Sequence, residues 1–494
     1  MEPALPPAGA DVATARAAYA AVLARFPLAA DAWHAAVALE MREGAFGRAA
    51  TLFQQCLLPM RDAALFGLYL DMVGACPGGD MPAAFEFAIA HAADPAAGRL
   101  YARYIAHLRA HAAPAPALRR VYQLAVARPH DGVEALWDEY CRFEADADAA
   151  QAETLLAALR HKYVAARATW RARAYHLRNL PRRGLPRRDP PDAARWRAYL
   201  AFEKGNPERL APDEYYRRVC YAHDYALAAL YLDEAAWHEA ARFCADSERA
   251  DDALAYYRRG AAAVPAGETL HFLYAEFCED RGLPDRARAV YASLLARAPT
   301  PLAHIQYMRF ELRAHSVPRA RAALVAAIAN PACAWQVFAH GARTEMRERA
   351  PDRALAVLNR GLERHAGESA YVAECVALLM ATHDDACVRA VLDRAVAATP
   401  PARRAPVWEM YAAFERDRGS RATQARLSGL REEDAAAFGV ARRRFCAFDL
   451  APGAPAPPPA PPLPPAAPVR RARPRDTPMD AFRERQWRKL RIKR

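Results

Sequence analysis

A tryptophan, or a residue standing in for one, recurs about every 34 residues along this chain, and an aromatic, an apolar residue and often a glutamate follow it at fixed offsets. The clearest copies are Trp137-Tyr140-Phe143-Glu144, Trp196-Tyr199-Phe202-Glu203 and Trp408-Tyr411-Phe414-Glu415. His304-Tyr307-Phe310-Glu311 keeps all but the tryptophan, while Trp33-Ala36-Leu39-Glu40 and Trp237-Ala240-Phe243 are looser. Weaker phases fall at Phe66, Tyr101, His271, Trp335 and Tyr371, so successive anchors lie 31–41 residues apart except for one gap of 59 between Trp137 and Trp196. A fixed period in this range means a stack of small helical units, each too small to bury its own apolar face. The expected fold is therefore all-α, a superhelical solenoid of about eleven helix pairs.

The offsets say how each unit is built. Positions i, i+3 and i+6 fall on one stripe of a first helix, and the glutamate at i+7 returns to nearly the same azimuth, facing inward. A carboxylate placed there needs a cation. Second helices offer one in Tyr257-Arg258-Arg259-Gly260, Leu358-Asn359-Arg360-Gly361 and Leu392-Asp393-Arg394-Ala395. A Glu–Arg pair that sets packing register is the reading taken; the same carboxylate in every repeat has no use in acid–base catalysis. The second helices also end alike, with proline eight residues after the aromatic or leucine at Tyr257–Pro265 and Leu392–Pro400. Proline stops the helix there and starts the loop to the next repeat. Gly260, Gly361 and Ala395 let neighbouring helices come close.

Composition narrows the function. There is no apolar run near 18 residues, no basic-plus-apolar leader in the first residues, and the ten cysteines form no C-x-x-C pair. A reducing compartment, cytosol or nucleus, with no membrane, follows as an expectation. No Gly-rich phosphate loop and no H-E-x-x-H occur, and the 15 histidines, including His107, His111 and His161, show no ligand spacing. The expectation is a non-enzymatic protein without catalytic residues, metal or cofactor.

The net charge of +12 sits in two places. Residues 160–197 carry twelve Lys/Arg against two Asp, and residues 446–494 carry eleven against four acids, leaving the rest of the chain mildly acidic. Within the insertion, a helix over about 150–178 precedes NLPRRGLPRRDPPD, too rich in proline for regular structure. Arg182, Arg183, Arg187 and Arg188 are its candidate RNA-phosphate contacts; a solvated connecting loop is the plainer reading, since no aromatic side chain interleaves to stack bases. The tail starts as a polyproline-II spacer, APGAPAPPPAPPLPPAAP, and is expected to be disordered. Its basic clusters, Arg470, Arg471 and Arg473, then Arg488, Lys489, Arg491, Lys493 and Arg494, fit nuclear localisation.

The Trp-x-x-Tyr-x-x-Phe-Glu first helix and Tyr/Leu-x-Arg-Gly/Ala second helix resemble half-a-TPR (HAT) repeats, known from RNA-processing complexes. The order of segments is similar to the Suppressor-of-forked family, the large scaffold subunits of cleavage stimulation factor. AATLFQQCLL (49–58), VYQLAV followed by EALWDEYCRFE (121–144), DAARWRAYLAFEKGNP (192–207), PLAHIQYMRFELRA (301–314), PVWEMYAAFERDRGS (406–420) and RRRFCAF (442–448) carry it. The resemblance implies a flexible start (1–11), an N-terminal HAT arm (12–232, with the basic insertion 160–195), a dimerising C-terminal arm (233–448) and a Pro-rich basic tail (449–494). It implies nuclear work in pre-mRNA 3′-end cleavage and polyadenylation as a homodimer that holds an RRM-type subunit and contacts the cleavage and polyadenylation specificity factor, with pre-mRNA reached indirectly. Met479, Phe482 and Trp487 match its partner-docking tail, shortened here. A HAT subunit of the U1 splicing particle is the alternative, and the text at 192–207 and 301–314 argues against it.

Overall fold

After the leading helix and three of the second helices a proline sits two residues beyond the last helical residue, at Pro27, Pro265, Pro299 and Pro400. The pre-proline residues Phe26, Val264 and Ala298 leave the helical region, with ψ of 68°, 72° and 79°. This recurrent stop cuts the chain into short antiparallel helices. The computed structural model describes residues 5, 6 and 10–446 except 94, 148, 179, 181–184, 186–192 and 382–384, with side chains to residue 435 apart from 149 and 150.

A leading helix, α1 (Val12–Arg25), has no preceding partner. Eleven helix pairs follow among the described residues. Their first members are α2 (Ala30–Arg42), α4 (Ala63–Ala75), α6 (Gly98–Ala110), α8 (Val133–Ala147), α10 (Ala193–Lys204), α12 (Glu234–Asp246), α14 (Glu268–Asp280), α16 (Pro301–Arg313), α18 (Trp335–Arg347), α20 (Ser369–Met380) and α22 (Ala405–Arg418). Their second members are α3 (Phe46–Met60), α5 (Met81–His91), α7 (Ala115–Val126), α9 (Ala149–Leu177), α11 (Pro212–Ala229), α13 (Ala250–Ala263), α15 (Pro284–Arg297), α17 (Val317–Ala329), α19 (Pro351–His365), α21 (Asp385–Ala398) and α23 (Arg421–Cys446). Among the described residues there is no strand. None of the described helices is long and apolar enough to cross a membrane. The gap of 59 residues is the long α9 plus the segment up to α10, as the insertion reading expects.

The helices form two compact units that divide between Tyr274 and Ala275, inside α14. In the first, Trp196, Tyr199 and Leu200 pack on Ala222, Ala226 and Leu230, so one pair closes around its own anchor. In the second, one apolar seam runs from Met308 through Leu358, Tyr371 and Leu392 to Trp408 and Leu427. Close helix approach depends on glycine where expected. A Cβ on Gly260 would stand 2.9 Å from Trp237, and one on Gly361 would run into the Tyr371 ring. Tyr371 cannot yield easily, because it is buried and its hydroxyl donates to Leu358 O at 3.0 Å. Gly361→Ala should therefore cost about 1–3 kcal/mol. Hydrogen exchange would show it as lost protection in α19 and α20, and unchanged protection there would refute the packing.

Candidate functional site

The repeated element with the most constrained chemistry is a carboxylate–guanidinium clamp. Glu40, Glu144, Glu203, Glu311, Glu345 and Glu415 are all buried, each near the C-terminal end of a first helix. Each receives two hydrogen bonds, from Nε and Nη2 of one arginine on the preceding second helix (or, for Glu40, on α1). The partners are Arg16, Arg119, Arg173, Arg288, Arg321 and Arg389 respectively, with Nε to Oε1 distances of 2.6–2.9 Å. Such planar two-point pairing is specific to arginine. An aromatic ring one turn after the arginine meets the phenylalanine before the glutamate: Tyr122–Phe143 and Tyr291–Phe310 at 5.5 Å, and His176–Phe202 at 5.0 Å. Ion pair and ring contact together fix how one pair sits on the next.

The inward glutamate of the sequence reading is thus present, but its cation is not the expected one. Arg259 instead reaches Asp224, at 3.1 Å. Arg259, Arg360 and Arg394 lie in the later half of their helices. The clamping arginines lie three residues before the aromatic or leucine, at Arg16-x-x-Tyr19, Arg119-x-x-Tyr122, Arg288-x-x-Tyr291, Arg321-x-x-Leu324 and Arg389-x-x-Leu392. Antiparallel packing explains this: the C-terminal end of a first helix faces the start of the helix before it, except at Glu203, whose Arg173 lies near the end of the long α9.

The anchors divide in the same way. Trp196 and Trp237 are about 1% exposed, Trp33 and Trp408 are buried, and Tyr140, Tyr199 and Tyr411 are buried beside them. Indole Nε1 of Trp33 donates to Pro27 O and that of Trp237 to Tyr231 O, each six residues back, which ties the anchor to its entering loop. Trp137 is only half-buried, stacked at 4.4 Å on Tyr163 of α9. In α18 the anchor is not Trp335, which is half-buried, but Phe338, fully buried and seven residues before Glu345. The sequence reading missed that register by one turn; Glu345 was the available signal.

Electrostatics follow from burial. Burial alone would raise the Glu203 pKa, but Arg218 and Arg173 outweigh it and hold it at about 2. Arg218 adds 2.8 Å and 3.2 Å bonds to the same carboxylate, and Arg173 also reaches Glu208, making a cluster of two cations and two anions. The Glu203 carboxylate, held ionised in this way, serves packing and is unsuited to proton exchange near neutral pH. Burial pushes His223 down to about 3, helped by Lys204, and its Nε2 has no partner. An unfolded histidine binds its proton near pH 6.5, so stability contributed by His223 is complete above that pH and lost as pH falls from 6.5 towards 3. His223→Leu should flatten that acid dependence, read from thermal unfolding as a function of pH; an unchanged slope would refute it. Among the described residues no cluster of histidine, cysteine and carboxylate groups could hold a metal. His107 and His111 pack on each other at 4.1 Å.

Arg182, Arg183, Arg187 and Arg188 lie outside the described residues, as do Met479, Phe482 and Trp487 and the basic clusters Arg470, Arg471, Arg473, Arg488, Lys489, Arg491, Lys493 and Arg494.

With the repeat geometry in place, comparison with known proteins is decisive. The Suppressor of forked protein (Suf) family matches residues 8–434. The chain belongs to the Suppressor-of-forked family. Cleavage stimulation factor subunit 77 of Arabidopsis thaliana is 29% identical over 83% of this chain and 59% of its own length. Protein suppressor of forked of Drosophila melanogaster is 25% identical over 82% of this chain and 62% of its own. An mRNA 3′-end-processing protein RNA14 of Cryptococcus neoformans is 24% identical over 86% and 51%. The chain thus spans between about half and about three-fifths of these relatives. The crystal structure of CstF-77 superposes with a TM-score of 0.55 at 16% identity, covering 92% of this chain and 94% of the other, which establishes the shared HAT solenoid fold.

Proposed function

We propose that this protein is a non-enzymatic scaffold of the pre-mRNA 3′-end cleavage and polyadenylation machinery, working in the nucleus. The observation that carries it is the family match across residues 8–434, over helix pairs whose glutamate–arginine clamps do packing and leave the solvent faces for partners. The arm spanning 233–448 would form a homodimer. The tail would dock an RRM-type subunit through Met479, Phe482 and Trp487, and its basic clusters would direct nuclear entry. Contact with the cleavage and polyadenylation specificity factor would use the helical array, and Arg182, Arg183, Arg187 and Arg188 would add RNA-phosphate contacts in the assembled complex.

The parts separate experimentally. Light scattering of the full chain should give twice the mass of one chain; a monomer at micromolar concentration removes the dimer. Deleting 470–494 should abolish capture of the RRM-bearing subunit and reduce nuclear accumulation while leaving that mass unchanged, because a Pro-rich spacer uncouples the tail from the repeats. Unchanged capture and localisation would remove the tail's assigned role. Changing the four insertion arginines to alanine should lower the slope of log affinity for RNA against log salt by about 3.

A further inference from the structure

The first unit curls until its two ends meet. Arg25 Nη2 donates to Ala263 O at 2.8 Å, and Phe26 sets its edge against Tyr231 at 5.5 Å. Inside the turn, Arg218 Nη1 donates to Ala93 O at 2.8 Å, and Ala93 N to Arg61 O at 3.2 Å. These contacts leave a cavity of about 760 Å³ between α9, α11 and the loops after α5 and α7. A second cavity of about 300 Å³ shares Arg61 and Arg217 with it and runs on towards α13. Together they form one lumen.

The larger cavity is predominantly basic, while in the smaller one Asp224 is paired with Arg259 and Asp252 accepts from the Tyr216 hydroxyl at 2.6 Å. Of the cations lining the larger cavity, Arg173 is used by Glu203 and Glu208, Arg218 by Glu203 and Ala93 O, and Arg128 by Ile89 O and Tyr101. Arg61, Lys162, Arg209 and Arg217 also face it and make no ion pair among the described residues; the remaining lining carboxylate is Glu214. Lys162, Arg209 and Arg217 are exposed, and Arg209 stands on a loop pinned by Asn206, which exchanges two hydrogen bonds with Leu210 at 2.8 Å and 3.0 Å. Uncompensated like charges in one concave space repel each other and favour an anionic guest.

We propose that this lumen binds an extended acidic segment of a partner protein, its carboxylates resting on Arg61, Lys162, Arg209 and Arg217. The rest of the wall is largely alanine, including Ala90, Ala165 and Ala168, which suits a peptide backbone and small side chains. RNA is the poorer guest: in the larger cavity Tyr101 and His130 are buried and only His91 is exposed, and in the smaller one Tyr221 and Tyr256 are buried while the half-buried Tyr216 is already stacked on Phe243 and covered by Arg249. The chain's own tail is excluded by sign, since residues 446–494 are strongly basic.

The test uses the full-length protein and a fluorescein-labelled peptide of alternating aspartate and alanine, read by anisotropy, with a lysine–alanine peptide and labelled oligouridylate as comparators. The acidic peptide should bind saturably at low salt, weaken with added salt, and lose about tenfold affinity in R61E/R217E, with R61Q/R217Q intermediate. Arg353→Glu together with Arg360→Glu, both exposed in the other unit, controls for net charge and should change nothing. Hydrogen exchange of the two lumen variants should match the parent, so that lost binding is not lost folding. No saturable binding of the acidic peptide, equal loss in the Arg353/Arg360 control, or oligouridylate bound in its place and lost in the same variants would overturn the proposal.

Discussion

Replacing Glu203 by alanine is expected to unfold its neighbourhood at a cost of about 3–5 kcal/mol, because the substitution leaves Arg218 without a carboxylate and Arg173 with Glu208 alone. Arg173 is about 1% exposed and Arg218 is largely covered, so neither can turn to water once the carboxylate is gone. Hydrogen exchange should locate the loss in α9, α10 and α11. Glu40→Ala provides the internal contrast: the Arg16 side chain is 32% exposed and can solvate itself, so the cost there should be smaller. Replacing Arg173, Glu203 and Arg218 together by Met, Leu and Met should recover much of the loss, since the pair energy in a low-dielectric site is offset by desolvation. Equal costs at Glu203 and Glu40 would show that burial of the arginine does not set the penalty.

Trp196→Ala should cost a similar amount, about 3–5 kcal/mol, through cavity formation in the cluster with Tyr199, Leu200 and Leu230. Trp196→Phe should cost much less than its volume suggests, because the buried Nε1 has no partner and its removal relieves an unsatisfied donor. Trp408→Ala loses burial and also leaves Asp434, which accepts from its Nε1 at 2.9 Å, with Arg404 alone. Trp137→Ala should be milder, since that ring is half-exposed against Tyr163. In a solenoid most contacts join adjacent pairs, with Arg25–Ala263 and Arg218–Ala93 among the exceptions here, so protection should fall first in the flanking pairs and only later across the array. Loss spread evenly over the whole chain would contradict nearest-neighbour stability.

The sequence makes the helix pairs legible because a Trp-Tyr-Phe stripe is a local signal, written within two turns of one helix. Register failed only at α18, where the bulk of Trp335 outweighs the glutamate that marks Phe338 as the buried residue. The arginine of the clamp was harder to find, since it sits on a different helix from its glutamate, 23–30 residues away. Finding it requires knowing which helix end faces which. The lumen was beyond reach from sequence: bringing Arg25 to Ala263 depends on small rotations accumulated over successive pairs, and no motif encodes their sum. Where Cys244 and Cys278 replace the glutamate, the position stays buried without an ion pair, so the clamp is one of two ways to fill that site.

Affinity purification of the tagged full-length protein from its own cells, followed by identification of the co-purifying subunits, tests the central claim most directly. The scaffold reading predicts recovery of an RRM-bearing RNA-binding subunit together with cleavage and polyadenylation factors, at a stoichiometry of two copies of this chain per assembly. Recovery of U1 RNA and splicing-particle proteins without those factors would contradict it.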